Sequence, residues 1–176
     1  MINHNHNTFY YKPNQPLMTI QTMTEEHARE LCEWRYAPPW DIYNWASWES
    51  MKKDGVELGD PVLRTTQYGA VVDERGSLFG YVQFFPLGHV TRLGLGLHPD
   101  RLGQGLGALL VRTIVEEALR RSPGNEVDLE VASWNTRAIR VYESVGFRID
   151  ETYDRPTSNG EVECHCMIYD PSLPCP

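Results

Sequence analysis

The chain has 176 residues, 41% hydrophobic and 11% aromatic, the composition of one ordinary globular domain; repeat arrays, collagen-like polymers and long disordered chains are excluded. Sixteen basic against 24 acidic side chains give a formal charge of −8, so the molecular field repels phosphate backbones and anionic lipid, and nucleic acid and membrane are not expected partners. No run approaches the roughly 20 apolar residues that span a bilayer, and Met1 to Tyr10 lacks a basic-then-apolar signal pattern, so a soluble cytoplasmic protein is expected.

Residues 1–16 are polar and aperiodic, which predicts a flexible N-terminal arm with His4 and His6 in solvent, ahead of a single domain over residues 17–176. Leu17 to Thr22 reads as a strand. Thr24 then stands as an N-cap before Glu25 and Glu26, opening a helix with Ala28, Leu31, Cys32 and Arg35 at helical spacing and Pro38-Pro39 as its stop. A second short helix is predicted over Trp45 to Lys53. Gln67 to Val72 and Leu78 to Phe85 form a hairpin across Asp73-Glu74-Arg75-Gly76, and Val90 to Leu97 adds a third antiparallel strand closed by Pro99. A glycine-rich loop, Gly103 to Gly107, feeds a helix over Ala108 to Leu119 that stops at Pro123-Gly124. Val127 to Ala132 is a strand with Val127, Leu129 and Val131 on one face and Asp128 and Glu130 on the other. Asn135 to Ser144 is a helix closed by Gly146, and two last strands, Phe147 to Tyr153 and Glu161 to Tyr169, flank the turn residues Pro156 to Gly160. The order β-α-α-β-β-β-α-β-α-β-β, without repeat or linker, makes one α/β domain.

Cys32, Cys164, Cys166 and Cys175 are too sparse and uneven for a disulfide framework and read as free thiols. In Cys164-His165-Cys166 the strand alternation turns His165 away from the two cysteines, and no second ligand pair at zinc-finger spacing accompanies them, so no metal site is expected.

The loop Gly103-Gln104-Gly105-Leu106-Gly107-Ala108 carries the chemistry. Free backbone N–H groups at a helix start, fronted by glycines, make an anion cradle assisted by the helix dipole. Its even glycine spacing fits neither the dinucleotide fingerprint nor a Walker loop, which would require Gly-Lys-Ser or Gly-Lys-Thr where Gly107-Ala108 stands.

Together with Asn135, Ala138-Ile139, Tyr142 and Gly146-Phe147, this loop resembles the GNAT superfamily of acyl-CoA-dependent N-acetyltransferases, and the likeness in element order runs from about Thr19 to Tyr169. The resemblance implies a mixed, mostly antiparallel sheet of about seven strands flanked by about four helices, with acetyl-CoA as cosubstrate. In that family the loop amides hold the coenzyme pyrophosphate, which assigns Gly103 to Ala108 to cofactor binding. Leu102 occupies the usual Arg or Gln position, with Arg101 one residue earlier. Leu95, Gly96 and Leu97 match the splayed fourth strand that pairs with the pantetheine arm. Asn135 matches a cofactor contact and is also a natural N-cap. Tyr142 matches the family's tyrosine acid, which also places it at the cofactor.

An amine attacking a thioester needs a path for its proton, donors for the charge developing on the carbonyl oxygen, and an acid for the departing thiolate. Glu130 is the candidate base, on the fifth strand and twelve residues before Tyr142, a separation resembling the branch that acetylates protein N-termini. His98, Asp41 or a water chain are the alternatives, as is a Glu130 that only faces solvent or pairs with an arginine. None of the cysteines falls in the matched motifs, so direct transfer is expected.

Four of the five tryptophans fall between Trp34 and Trp48, where the resembling family walls its acceptor pocket. Trp40, Asp41 and Tyr43 are the candidate acceptor contacts, and aromatic faces with Asp41 and Glu49 nearby suit a cationic amine. The same rings could instead pack the helix pair onto the sheet. The acceptor is thus expected to be a small amine or a peptide amine. A homodimer is a further partner common in that family, and a CoA-binding sensor without turnover is the competing function.

Overall fold

A computed structural model describes residues 17–157 and 160–173. Residues 1–16, with His4 and His6, and Cys175 lie outside the described residues. Seven strands form one sheet in the order β1-β2-β3-β4-β5-β7-β6. They are β1 (Thr19–Thr22), β2 (Tyr68–Val72), β3 (Leu78–Leu87), β4 (Val90–Leu97), β5 (Glu126–Ala132), β6 (Phe147–Thr157) and β7 (Gly160–Tyr169). All neighbours run antiparallel except β4 and β5. Five α-helices accompany them: α1 (Glu25–Glu33), α2 (Trp48–Asp54), α3 (Pro61–Thr66), α4 (Gly107–Arg121) and α5 (Thr136–Glu143).

Local sequence explains most boundaries. Thr24 caps α1, its Oγ1 accepting the His27 N–H while His27 Nδ1 accepts the Thr24 N–H, a reciprocal cap in which histidine stands for the usual Glu or Gln. α1 stops at Glu33, earlier than the prolines suggest, because Arg35 folds back and donates to the Cys32 and Trp34 carbonyls at 2.8 and 2.7 Å. α2 starts at Trp48 behind the Ser47 cap and ends on Gly55 in the left-handed region (φ 60°). α3 is an addition to the expected order. Asp60 accepts from the Val62 and Leu63 amides and Pro61 stands at the first helical position. β6 runs past its expected end at Tyr153 and through Pro156 to Thr157, which an edge strand tolerates.

Two cores flank the sheet. Leu110, Ile114 and Val115 of α4 pack with Phe79, Val82, Leu93 and Leu129 on one side. On the other, Leu31, Cys32 and Met51 pack with Tyr68, Ala70 and Val72, and Trp34, Trp45 and Trp48 belong to this layer. For these three tryptophans packing is the role. Trp48 is further ringed by the cationic heads of Arg29, Lys52 and Arg64. Cys164 and Cys166 are buried free thiols, as is Cys32. His165 faces the other way and meets the Thr152 hydroxyl at 2.8 Å. Among the described residues no cluster of three or more His, Cys, Asp or Glu is placed to hold a metal, and no helix is long and apolar enough to cross a membrane.

The register of the parallel pair creates the central opening. β4 and β5 are joined only from Val90–Glu126 to Leu93–Leu129, although β4 continues to Leu97 and β5 to Ala132. Beyond that point β4 stays with β3 and β5 with β7, so the two facing edges diverge in a V. Their backbone groups in the gap lack the partners that a closed ladder would supply.

Candidate active site

A cleft of about 480 Å³ fills the V. One wall is the β4 edge, including Leu95, Gly96 and Leu97; the opposite wall includes Glu130 and Val131 of β5. Gly96 is required where it stands: a Cβ there would lie 2.4 Å from the Tyr81 ring across the hairpin. The Leu97 carbonyl accepts a 2.8 Å hydrogen bond from the Tyr36 hydroxyl, which pins the segment after α1 to the splayed strand.

The floor is the glycine loop. Gly103 and Gly105 have φ of 75° and 73°, and a Cβ on either would meet nothing, so the loop surface is open to a ligand. Gly107 instead lies against Val141, 3.3 Å from where its Cβ would be, which brings α4 and α5 together. α4 differs from every other α-helix of the structure. Thr24, Ser47, Asp60 and Asn135 cap α1, α2, α3 and α5 with side-chain oxygens, whereas α4 begins after Leu106 with no side-chain cap. Its first-turn amides keep their donors and its dipole its positive end, within a cleft that Leu106, Gly107 and Ala108 line. A phosphorylated cofactor with an extended arm fits this arrangement: anion donors at one end, an unpaired strand edge along the arm.

Gln104 is the exception in the loop. Its side-chain amide donates to the Asp100 carbonyl at 2.7 Å, so the side chain closes its own turn and does not line the cleft. Leu102 lines the cleft as a hydrophobic residue, and Arg101, also in the lining, is drawn 3.9 Å from Asp73 with its guanidinium over Phe79.

From α5, Tyr142 reaches the cleft half-buried, and its ring packs on Phe147. Burial holds its phenol far above the ordinary tyrosine range, so it is protonated at neutral pH. Asn135 is buried and its side chain is engaged internally. Oδ1 accepts from the Ala138 amide (3.4 Å) and the Trp40 indole (3.3 Å), while Nδ2 donates to the Tyr43 hydroxyl (3.4 Å). One cap residue therefore ties α5 to the aromatic segment between α1 and α2.

Glu130 lines the cleft from the outermost third of β5, but in company. Oε1 accepts from Arg92 at 2.6 Å and from the Tyr153 hydroxyl, and Oε2 from Arg155 at 3.0 Å. Arg92 is itself clamped on the buried Asp128, at 2.6 Å to Oδ2. The face of β5 read from alternation as polar thus carries an ion-pair cluster that borders the cleft at Glu130. His98 does not line the cleft. Its Nδ1 accepts the Asp100 amide and its ring stacks edge-on against Trp34 at 4.7 Å.

Between α1 and α2 a 3-10 turn, Trp40–Tyr43, places Trp40 and Tyr43 in the lining and leaves Asp41 outside it. In a 3-10 turn residues i and i+3 share a face, so Trp40 and Tyr43 point together and Asp41 points to solvent. Glu49 is also remote, exposed on α2 and 3.6 Å from Arg29. Neither carboxylate expected beside the aromatic rings, Asp41 or Glu49, lines this cleft. One face of Trp40 is already covered by Arg137 at 4.4 Å. Sequence reasoning missed Tyr36, Tyr81 and Arg137 as lining residues; for Tyr81 the hairpin register opposite Gly96 was the available signal.

The model of the acetyltransferase (GNAT) family matches residues 20–147. The spermidine N-acetyltransferase of Vibrio cholerae, solved with CoA and spermine, superposes with a TM-score of 0.65 at 15% identity over 86% of this chain and 94% of that one. The ribosomal-protein-S18-alanine N-acetyltransferase of Escherichia coli gives 0.62 at 20% identity over 90% and 96%. A GNAT-family acetyltransferase of Bacillus anthracis gives 0.65 at 15% over 86% and 93%. At these identities the likeness is one of fold. Comparison with curated protein sequences gives no match.

Proposed function

The chain belongs to the acetyltransferase (GNAT) family, and from that membership we propose that it moves an acetyl group from acetyl-CoA to a primary amine by direct attack. One observation carries the reading: α4, alone among the described α-helices in lacking a side-chain cap, opens behind left-handed glycines into the same cleft as the splayed β4 edge and Tyr142. We assign cofactor binding to the backbone of Gly103 to Ala108 and of Leu95, Gly96 and Leu97, and treat residues 17–176 as one acetyltransferase domain.

Acetyl-CoA supplies an activated acetyl thioester. The loop and α4 amides hold its phosphates, and the β4 edge aligns its arm and offers N–H donors to the carbonyl oxygen. As the amine nitrogen forms a bond to the carbonyl carbon and the carbon–sulfur bond breaks, Tyr142 delivers its proton to the departing sulfur. The amine loses a proton toward Glu130, directly or through water. Asn135 acts here as a positioning residue, holding Trp40 and Tyr43 against α5.

The Arg92 and Arg155 pairs on Glu130 favour a second reading, a CoA-binding sensor without turnover, because oxygens that already accept from two guanidinium groups have little lone-pair capacity left for an amine proton. Thermal unfolding with acetyl-CoA, CoA, ATP and NAD, followed by thiol release with an amine mixture, separates them. Acetyl-CoA and CoA at 100 times Kd should stabilise by about 2.7 kcal/mol, ATP and NAD little. Tyr142→Phe should lower kcat by about 10²-fold or more with cofactor affinity within about twofold. Absence of any shift overturns the family site; a shift without thiol release establishes the sensor.

A further inference from the structure

We propose that the acceptor is a monoamine, one ammonium on an aromatic or apolar body, and that polyamines are disfavoured. This rests on the acetyl-transfer reading of the cleft and concerns its acceptor end. Tyr36, Trp40, Tyr43, Tyr81 and Tyr142 bring five aromatic rings to the lining. Beside Tyr43 the lining continues into an exposed apolar lip: Ile42 is 58% exposed, Trp134 is 38% exposed, and the Tyr43 and Trp134 rings lie 6.3 Å apart. Exposed rings that are held together, in a chain whose other tryptophans but Trp40 are packed in the core, offer a body of an acceptor the area it would bury.

The charges point the same way. Among the described lining residues Glu130 is the one carboxylate, and Arg92 and Arg155 already balance it. Arg137 adds a cation to the same lining, as does Arg101 beside the glycine loop, where it stands 3.9 Å from Asp73. A single ammonium can be held by aromatic faces and by Glu130, and it loses its proton before attack. Each further ammonium of a polyamine would leave water without a carboxylate to replace its hydration, in a cleft that carries more positive than negative side chains. The molecular charge of −8 is elsewhere, as the exposed positions of Asp41 and Glu49 illustrate.

The shared chemistry has two sources, a free arylalkylamine or the amino terminus of a peptide with an apolar first side chain. Acetyl-CoA binding is measured first by thermal shift, then thiol release with phenethylamine, a tripeptide beginning with phenylalanine, ethylamine and spermidine at equal concentrations. The expected kcat/KM for phenethylamine or the tripeptide exceeds that for spermidine at least about tenfold, the better of the two naming the source. Trp134→Ala should raise the KM of that acceptor severalfold while kcat and the KM for acetyl-CoA stay put. Spermidine equal to or better than phenethylamine and the tripeptide, or thiol release with spermidine or ethylamine alone, overturns the inference. Failure of acetyl-CoA to bind, or binding with no thiol release from any of the four amines, overturns the underlying reading instead.

Discussion

Burial raises the proton affinity of the Tyr142 phenol, and among the described residues nothing hydrogen-bonds its hydroxyl, so on the proposed reading the group holds the proton that the departing sulfur needs. Glu130 is in the opposite condition, with three donors on its two oxygens. Those donors fix its geometry and occupy lone pairs that an incoming amine proton would need. Glu130→Gln keeps the shape and most hydrogen bonds and removes the charge. The expected result is a fall in kcat/KM at neutral pH that narrows as pH rises, because a larger fraction of the amine then arrives unprotonated. A pH–rate profile of the two proteins checks this; parallel profiles would confine Glu130 to the ion-pair cluster.

α4 shows how one helix is built for two different ends. Its N-terminus presents bare amides to the cleft, while its last turn is closed by Glu117, which accepts from Arg120 and Arg121 at 2.7 Å each, with Arg121 laid over Phe84 at 4.2 Å. The Arg120 and Arg121 hydrogen bonds lower the Glu117 pKa from 4.5 to about 2. A lowered carboxylate stabilises the fold above its unfolded pKa and loses that contribution as pH falls through the folded one. Glu117→Gln should thus be less stable than the parent by a constant margin above about pH 4.5, with the margin closing toward pH 2, as denaturant unfolding across that range would show. At this scale much was legible beforehand. The hairpin, β4, α4, β5 and the cap at Asn135 follow from alternation, helical spacing and local capping, which are properties of neighbouring residues. α3 was announced by Asp60-Pro61, an N-cap followed by a first-position proline, but six residues are too few to show a periodic apolar face. What local pattern cannot carry is partnership across the chain. Arg35 ending α1, Arg92 meeting Glu130, and Asn135 holding Trp40 and Tyr43 depend on contacts separated by up to 95 residues, except for the first. The tryptophan cluster looked uniform for the same reason; only the packing of the 3-10 turn separates Trp40 from Trp34, Trp45 and Trp48.

On the proposed reading, a chain of formal charge −8 has to capture a polyanion. The capture is arranged locally. Uncapped amides at α4 carry partial positive charge, and Arg101 and Arg137 stand in the same lining. The two fields differ in reach. Screening length is roughly 30 Å at 0.01 M salt and about 8 Å at 0.15 M, so added salt first removes the distant repulsion and leaves contacts of a few ångströms in place. The association rate for CoA should therefore rise severalfold between those concentrations, while the dissociation rate increases only modestly. This is opposite in sign to a basic protein gathering a phosphate ligand, where screening slows encounter. Stopped-flow binding at the two salt concentrations measures both rates. A falling association rate would mean that the two arginines and the helix start dominate the approach from long range, and Arg137→Gln would then be the variant to reverse it.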